Sequence, residues 1–205
     1  MLFECENNNL KRYKGRINLY LIHGKAGSGK DYVADIITKI VKYDSEVIKM
    51  SLANYIKWHG EKYFGIDPNN KCKETRKFWT DYGTDYIRNT LYKDFHIDRL
   101  IDDIVVVSGY KLRECNKISI IVPDVRFTDE LLSLIHFAFY NSIETKSIYV
   151  YGDYGDKVVA EHEELKEHES EQGINEKWFT YKIENTKNKP EIELVKDIYK
   201  MIKDW

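Results

Sequence analysis

The chain switches repeatedly between the two-residue rhythm of strands and the wider apolar spacing of helices. Ile17-Asn18-Leu19-Tyr20-Leu21-Ile22-His23 is an apolar run suited to a buried strand. Three glycines interrupt it within residues 24–31, and an amphipathic helical pattern follows over 32–43. Residues 46–52 alternate like a short strand and lead into a helix start at 53–59. Asp67-Pro68-Asn69-Asn70 marks a turn, and 73–91 reads as two helical pieces with a turn at Gly83. Over 98–114 the apolar positions fall near helical spacing, while Val105-Val106-Val107 leaves a strand open. Residues 118–122 predict a strand buried on both faces, 131–140 an apolar helix and 147–151 another strand. Residues 152–175 are polar and acidic, too long for an ordinary connection, and have the character of a lid or a disordered segment. A last strand at 178–184, a turn at 185–190 and an amphipathic helix at 191–203 close the pattern. In that helix Ile192, Val195, Ile198, Tyr199 and Ile202 are expected to face inward. Residues 1–16 form a polar appended segment, and no internal repeat or low-complexity stretch is present.

Composition narrows this picture. A chain of 205 residues suits one α/β domain whose sheet is covered on both faces. A net charge of -2, with acidic residues interleaved among the lysines, argues against nonspecific binding to a nucleic-acid polymer. Cys5, Cys72 and Cys115 lack zinc-site spacing and fit a reducing compartment. His162 and His168 are six residues apart, the wrong spacing for two adjacent helical metal ligands. No apolar run reaches the roughly 18 residues of a membrane span, and no signal-peptide core is present. The expectation is a cytoplasmic protein, or one working in host cytoplasm if viral, with no membrane partner.

The candidate chemistry centres on Gly24-Lys25-Ala26-Gly27-Ser28-Gly29-Lys30-Asp31. A glycine turn between a strand and a helix lets backbone N–H groups and a helix N-terminus wrap phosphates. Lys30 adds a movable point charge for β- and γ-phosphates. The match to the Walker A pattern Gly-x4-Gly-Lys-[Ser/Thr] is complete through Lys30, and Asp31 stands in the last place. A carboxylate there can hold Mg²⁺ through water or cap the helix. Asp124 and Arg126 follow the 118–122 strand, at the end where open α/β sheets bind ligands, and are candidates for a metal-water contact and an anion clamp. Arg76 and Arg88 flank Tyr82-Gly83-Thr84, where a turn would bring both guanidinium groups to one anion.

Three runs, together with the glycine loop, resemble the phage-type deoxynucleoside monophosphate kinases, a branch of the nucleoside monophosphate kinase-like P-loop enzymes. They are Ser51-Leu52-Ala53-Asn54-Tyr55-Ile56-Lys57, the Arg-x6-Gly-Thr-Asp-x-x-Arg run from Arg76 to Arg88, and Asp-Val-Arg-Phe-x-x-Glu from Asp124 to Glu130. His168-Glu169-Ser170-Glu171 and the Asn185 turn also look like that family, in which Asp commonly follows the loop lysine. Tyr151 and Gly152 depart from it, standing where relatives often place a basic residue. The resemblance implies an α/β, P-loop NTPase three-layer sandwich: a five-stranded parallel sheet, order 2-3-1-4-5, with an inserted lid. It implies a single kinase domain over 1–205, an acceptor region about 51–95 and a lid about 152–176.

The activity so implied is transfer of the ATP γ-phosphate to a (deoxy)nucleoside 5′-monophosphate in dNTP supply. Lys30 and the loop N–H groups of Gly27, Ser28 and Gly29 would hold the donor, with Gly24, Lys25 and Ala26 completing the loop and Asn185 near the adenine. Asp31 and Asp124 would organise Mg²⁺ through water. Arg76, Arg88 and Arg126 would grip the acceptor phosphate, while Lys57, Tyr82 and Thr84 seat the acceptor. His168, Ser170 and Glu171 would close over both. A homodimer is left open. The alternatives are a small-molecule kinase resembling animal phosphomevalonate kinase, and a non-catalytic ATP-binding regulator.

Overall fold

The computed structural model describes residues 9–70, 72–152 and 173–204. Its five strands are β1 (Ile17–His23), β2 (Glu46–Lys49), β3 (Ile118–Val122), β4 (Glu144–Tyr151) and β5 (Tyr181–Glu184). All pairings are parallel and the order is β2-β3-β1-β4-β5, as expected above. Parallel neighbours require crossovers, and six α-helices among the described residues serve them and flank the sheet. They are α1 (Lys30–Val41), α2 (Asn54–Phe64), α3 (Lys73–Phe78), α4 (Phe95–Lys111), α5 (Thr128–Tyr140) and α6 (Glu191–Lys203).

The central strand explains the layering. Every residue of β1 is buried, so its two sets of side chains need cover on both faces. Leu19 and Leu21 join Ile120 and Val122 against Leu100 and Ile104 of α4 and Leu131 and Leu134 of α5. Tyr20 and Ile22 join Ile121 and Ile148 against Val33 and Ile37 of α1 and Leu194 and Ile198 of α6. Helices, sheet and helices form three layers, and the loops that can bind a ligand gather at the carboxyl ends of the strands.

One open choice closes and three local expectations change. Residues 105–107 are helical within α4, where Val106 is 69% exposed, a surface no buried strand would leave open. The inward stripe of α6 is Leu194, Ile198, Met201 and Ile202; Ile192 and Tyr199 are exposed, since two stripes at helical spacing compete and the sheet selects the one that meets it. The last strand begins at Tyr181, after a 3-10 turn at Glu176–Trp178. Gly83 makes no turn: α3 passes into a π-helical stretch, Trp79–Leu91, that contains it. Its missing side chain serves close packing, since a Cβ on Gly83 would lie 2.7 Å from Ile56 Cδ1 of α2. Gly60 of α2 does the same in reverse, with a Cβ there 2.4 Å from the Trp79 ring.

Candidate active site

The glycine loop leaves the end of β1 and becomes the N-terminus of α1. Gly27 and Gly29 have φ of 79° and 77°, a backbone region that strains other residues. Gly24 answers a different need, because a Cβ there would lie 2.3 Å from Ser28 Oγ and 2.7 Å from the Val150 carbonyl. Gly29 caps α1 without any side-chain hydrogen bond, so the helix presents its positive end where the loop curls. Ser28 Oγ is buried, and no hydrogen-bond partner reaches it among the described residues. A buried hydroxyl inside a loop that ends on a helix N-terminus is suited to an anionic guest. The Ser28 N–H, expected above to face phosphate, instead donates to Lys25 O at 3.0 Å and closes the loop. Lys30 is half-buried at the start of α1, and Asp31 is exposed beside it; the alternative in which Asp31 caps the helix is not observed.

Asn185 lies against the glycine loop. Its side-chain amide donates to Ser28 O at 2.9 Å, its backbone N–H donates to Tyr151 O at 2.7 Å, and it is 3% exposed. A Cβ on Gly29 would come within 2.1 Å of that amide. Asn185 therefore pins the loop's backbone with one of its two amide N–H donors.

The turn after β3 runs beside the loop. β3 pairs with β1, Leu21 opposite Val122, and the pairing is extended by Val125 N–H to Ile22 O at 3.3 Å. His23 Nδ1–H donates to Val125 O at 2.7 Å. Asp124 accepts from Ser51 Oγ at 2.5 Å, Leu52 N–H at 3.1 Å and Ala53 N–H at 3.0 Å, clipping the β2–α2 connection to the end of β3. An ionised carboxylate has about four acceptor positions, so three protein donors leave Asp124 room for one water. Arg126 is exposed at the tip of this turn, and its backbone N–H donates to Glu130 at 2.8 Å. Glu130 is 3% exposed and its carboxyl is pushed up to about 7, foremost by burial, against the lowering effect of the Arg126 and Phe127 N–H groups.

The region expected above to seat an acceptor is aromatic. Tyr55, His59, Phe78 and Tyr82 form one ring cluster, with Tyr55 and His59 centroids 4.3 Å apart and Phe78 stacked 5.3 Å from Tyr82. The Tyr82 hydroxyl and His59 Nδ1 are 2.7 Å apart. Thr84 is buried, and the neighbouring Gly83 carbonyl accepts from His96 Nε2 at 2.9 Å. Burial holds His96 below the usual histidine range. Lys57 is exposed on α2, and Arg76 is half-buried in α3.

Arg88 is placed differently from an anion clamp. It is 5% exposed, its Nη2 donates to both oxygens of Asp129 at 2.9 and 2.7 Å, and its guanidinium lies 3.9 Å from the centre of the Phe127 ring. Its charge is matched within the protein. The glycine loop, Asp124 and Arg126 thus share the carboxyl edge of the sheet, and Arg88 is engaged elsewhere. His168, Ser170 and Glu171 lie outside the described residues. His23 and Asp129 were given no role from sequence, and Glu130 entered only as the last residue of the Asp124–Glu130 run. Its role had a local signal, as the acidic residue three positions into a helix whose first N–H groups need acceptors.

No family model and no curated protein sequence matches the chain. Among solved structures, the chain is similar to the APS kinase CysC of Mycobacterium tuberculosis in complex with AMPPNP and APS, at 12% identity over 93% of this chain and 99% of that one, with a TM-score of 0.54. It is also similar to APE1195, at 14% identity over 93% of this chain and 96% of that one, with a TM-score of 0.52. At such identities the likeness is one of fold, and the fold is the P-loop NTPase three-layer sandwich with its five-stranded parallel sheet.

Proposed function

We propose that the protein transfers the γ-phosphoryl group of ATP to the phosphate of a nucleoside 5′-monophosphate, deoxynucleotides included, and so supplies precursors of nucleoside triphosphates. The observation that carries this reading is the hydrogen bond from His23, the residue before the glycine loop, to Val125, the residue before Arg126. It ties a phosphate-wrapping loop to a turn whose exposed guanidinium can meet a second phosphate. The acceptor phosphate oxygen forms a bond to the γ-phosphorus while the bond to the β–γ bridging oxygen breaks, and ADP departs. Two phosphates brought together repel by several kcal/mol at an effective dielectric near 20, so cations on both sides are required. Lys30 and the N-terminus of α1 offset charge on the donor, and Arg126 and Arg76 on the acceptor. Mg²⁺, when bound with ATP, supplies further charge neutralisation across the phosphates. Asp31, exposed at the loop, and Asp124, with one acceptor position left, are the carboxylates that fit its waters.

The ring cluster of Tyr55, His59, Phe78 and Tyr82 supports a base-bearing acceptor, since stacking is what an aromatic surface offers. The test is ADP release from ATP and Mg²⁺ with each ribo- and deoxyribonucleoside monophosphate, and with phosphomevalonate, for wild type, Lys30→Ala and Arg126→Ala. Turnover with a nucleotide, lost in both variants, is expected. Stabilisation by ATP without consumption of ATP in any mixture would replace this reading with that of a regulatory nucleotide binder.

A further inference from the structure

Beyond Val125 the ladder of β1 and β3 ends, yet the chemistry proposed for Arg126 needs its backbone fixed. We infer that His23 and Glu130 are positioning residues for Arg126, holding from opposite sides the single peptide unit that precedes it. The inference rests on the phosphoryl-transfer role proposed for Arg126.

The peptide unit between Val125 and Arg126 has one acceptor and one donor, and a buried side chain takes each. Its carbonyl accepts from His23 Nδ1–H at 2.7 Å, and its N–H donates to Glu130 Oε2 at 2.8 Å. The next N–H, of Phe127, donates to the same oxygen at 3.1 Å. His23 and Glu130 are each 3% exposed, so water does not compete freely for either bond. They come from separate layers: His23 ends β1 and is covalently joined to Gly24, while Glu130 stands in the first turn of α5. The course of the turn relative to the glycine loop is thereby set through two side chains.

The chemistry of each is constrained. His23 Nε2 accepts from Ile174 N–H at 3.2 Å, so the ring is the neutral Nδ1–H tautomer, and an imidazolium would leave Ile174 without an acceptor. Phe179 stacks on the ring at 5.5 Å and 20°, and Tyr149 packs at 5.6 Å, which opposes its rotation. Glu130 contributes an acceptor oxygen, faced by the negative charge of Asp124 and the positive charge of Arg88. A glutamine oxygen performs the same task without the charge. Asparagine places an N–H near the position of Nδ1, whereas glutamine reaches the position of Nε2, so the two substitutions at His23 separate its two bonds.

The experiment uses the full chain, ATP and Mg²⁺, and whichever of dAMP, dCMP, dGMP and dTMP gives the highest turnover. Glu130→Ala and His23→Gln are expected to lower kcat by about a hundredfold, the size of effect a displacement near 1 Å produces, with AMPPNP affinity within about twofold of wild type. Glu130→Gln and His23→Asn are expected to recover most of that loss. In an Arg126→Ala background, Glu130→Ala is expected to cost nothing further, because a residue acting through Arg126 has nothing left to position. Thermal melts and AMPPNP titrations identify any variant that fails to fold, and the two His23 variants then decide the matter between themselves. Losses that multiply with Arg126→Ala, or Gln and Asn variants as impaired as their partners, overturn the inference while leaving the role of Arg126 intact. An Arg126→Ala protein with wild-type turnover overturns the role of Arg126, and this inference with it.

Discussion

Substituting Asp129 by alanine tests whether Arg88 belongs to the scaffold or to the substrate. Arg88 is 5% exposed, with both Asp129 oxygens on Nη2 at 2.9 and 2.7 Å, Lys93 O on Nη1 at 3.3 Å and the Phe127 ring against its face. Removing the carboxylate leaves a guanidinium buried without its counter-charge, which costs about 3–5 kcal/mol. Asp129 is 28% exposed and also meets Lys93 at 3.2 Å, so water can reach its side of the pair and the lower end, about 3 kcal/mol, applies. For a chain of this size that corresponds to a fall in Tm of roughly 6–12 °C. Replacing Arg88 by methionine in the same protein removes the stranded charge and keeps the volume, so the double variant is expected to recover most of the loss. The effect also has a pH signature. Burial raises the Asp129 carboxyl, but hydrogen bonds from Arg88 and Lys93 outweigh it and hold the group below the ordinary value of 3.8. A lowered carboxyl stabilises the fold above its unfolded pKa and loses that contribution as pH falls through the native value. The deficit of Asp129→Ala is therefore full at neutral pH and shrinks in acid. Urea unfolding at pH 7 and below pH 4 measures both. A deficit under about 1 kcal/mol, joined to an Arg88→Met protein of normal stability and no turnover, would refute the pairing and restore Arg88 to the acceptor phosphate.

Asn185→Ala removes the only side-chain amide that holds Ser28 O among the described contacts, and leaves a buried carbonyl short of a donor; a cost of about 1–3 kcal/mol, felt by the loop, weakens AMPPNP by about tenfold or more in calorimetry, and unchanged affinity would remove Asn185 from the loop's support. Glu130→Gln reports on stability as well as positioning: the native carboxyl, raised from 4.5 to about 7, favours the proton, so the wild-type fold loses stability between those values as pH rises. Glutamine is expected to flatten that slope, worth about 3 kcal/mol across the interval, in urea titrations at pH 5 and pH 8; parallel curves for the two proteins would contradict it.

What the sequence disclosed follows from how far apart interacting residues lie. The glycine loop, β1, β3 and the strand order implied by family resemblance were legible because glycines, apolar runs and the Asp124–Glu130 motif are local patterns. The partners within the site were not, because they meet across 41 residues for Arg88 and Asp129, 102 for His23 and Val125, and 157 for Asn185 and Ser28. Nothing in the stretch 73–91 distinguishes an arginine facing a phosphate from one facing Asp129. Gly83 shows the same ambiguity, since a turn and a close helix contact both call for a missing side chain, and only Ile56 decides between them. The place of Asn185, by contrast, becomes derivable once the strand order is known. β5 is separated from β1 by β4, so a residue leaving β5 reaches the loop after β1 only by crossing the end of β4. Gly152 lies at that crossing, and a Cβ there would come within 1.8 Å of the Asn185 carbonyl. Tyr151 and Gly152 stand where the resemblance leads one to expect a basic residue, and the missing side chain of Gly152 is thus the space through which Asn185 comes to hold the loop.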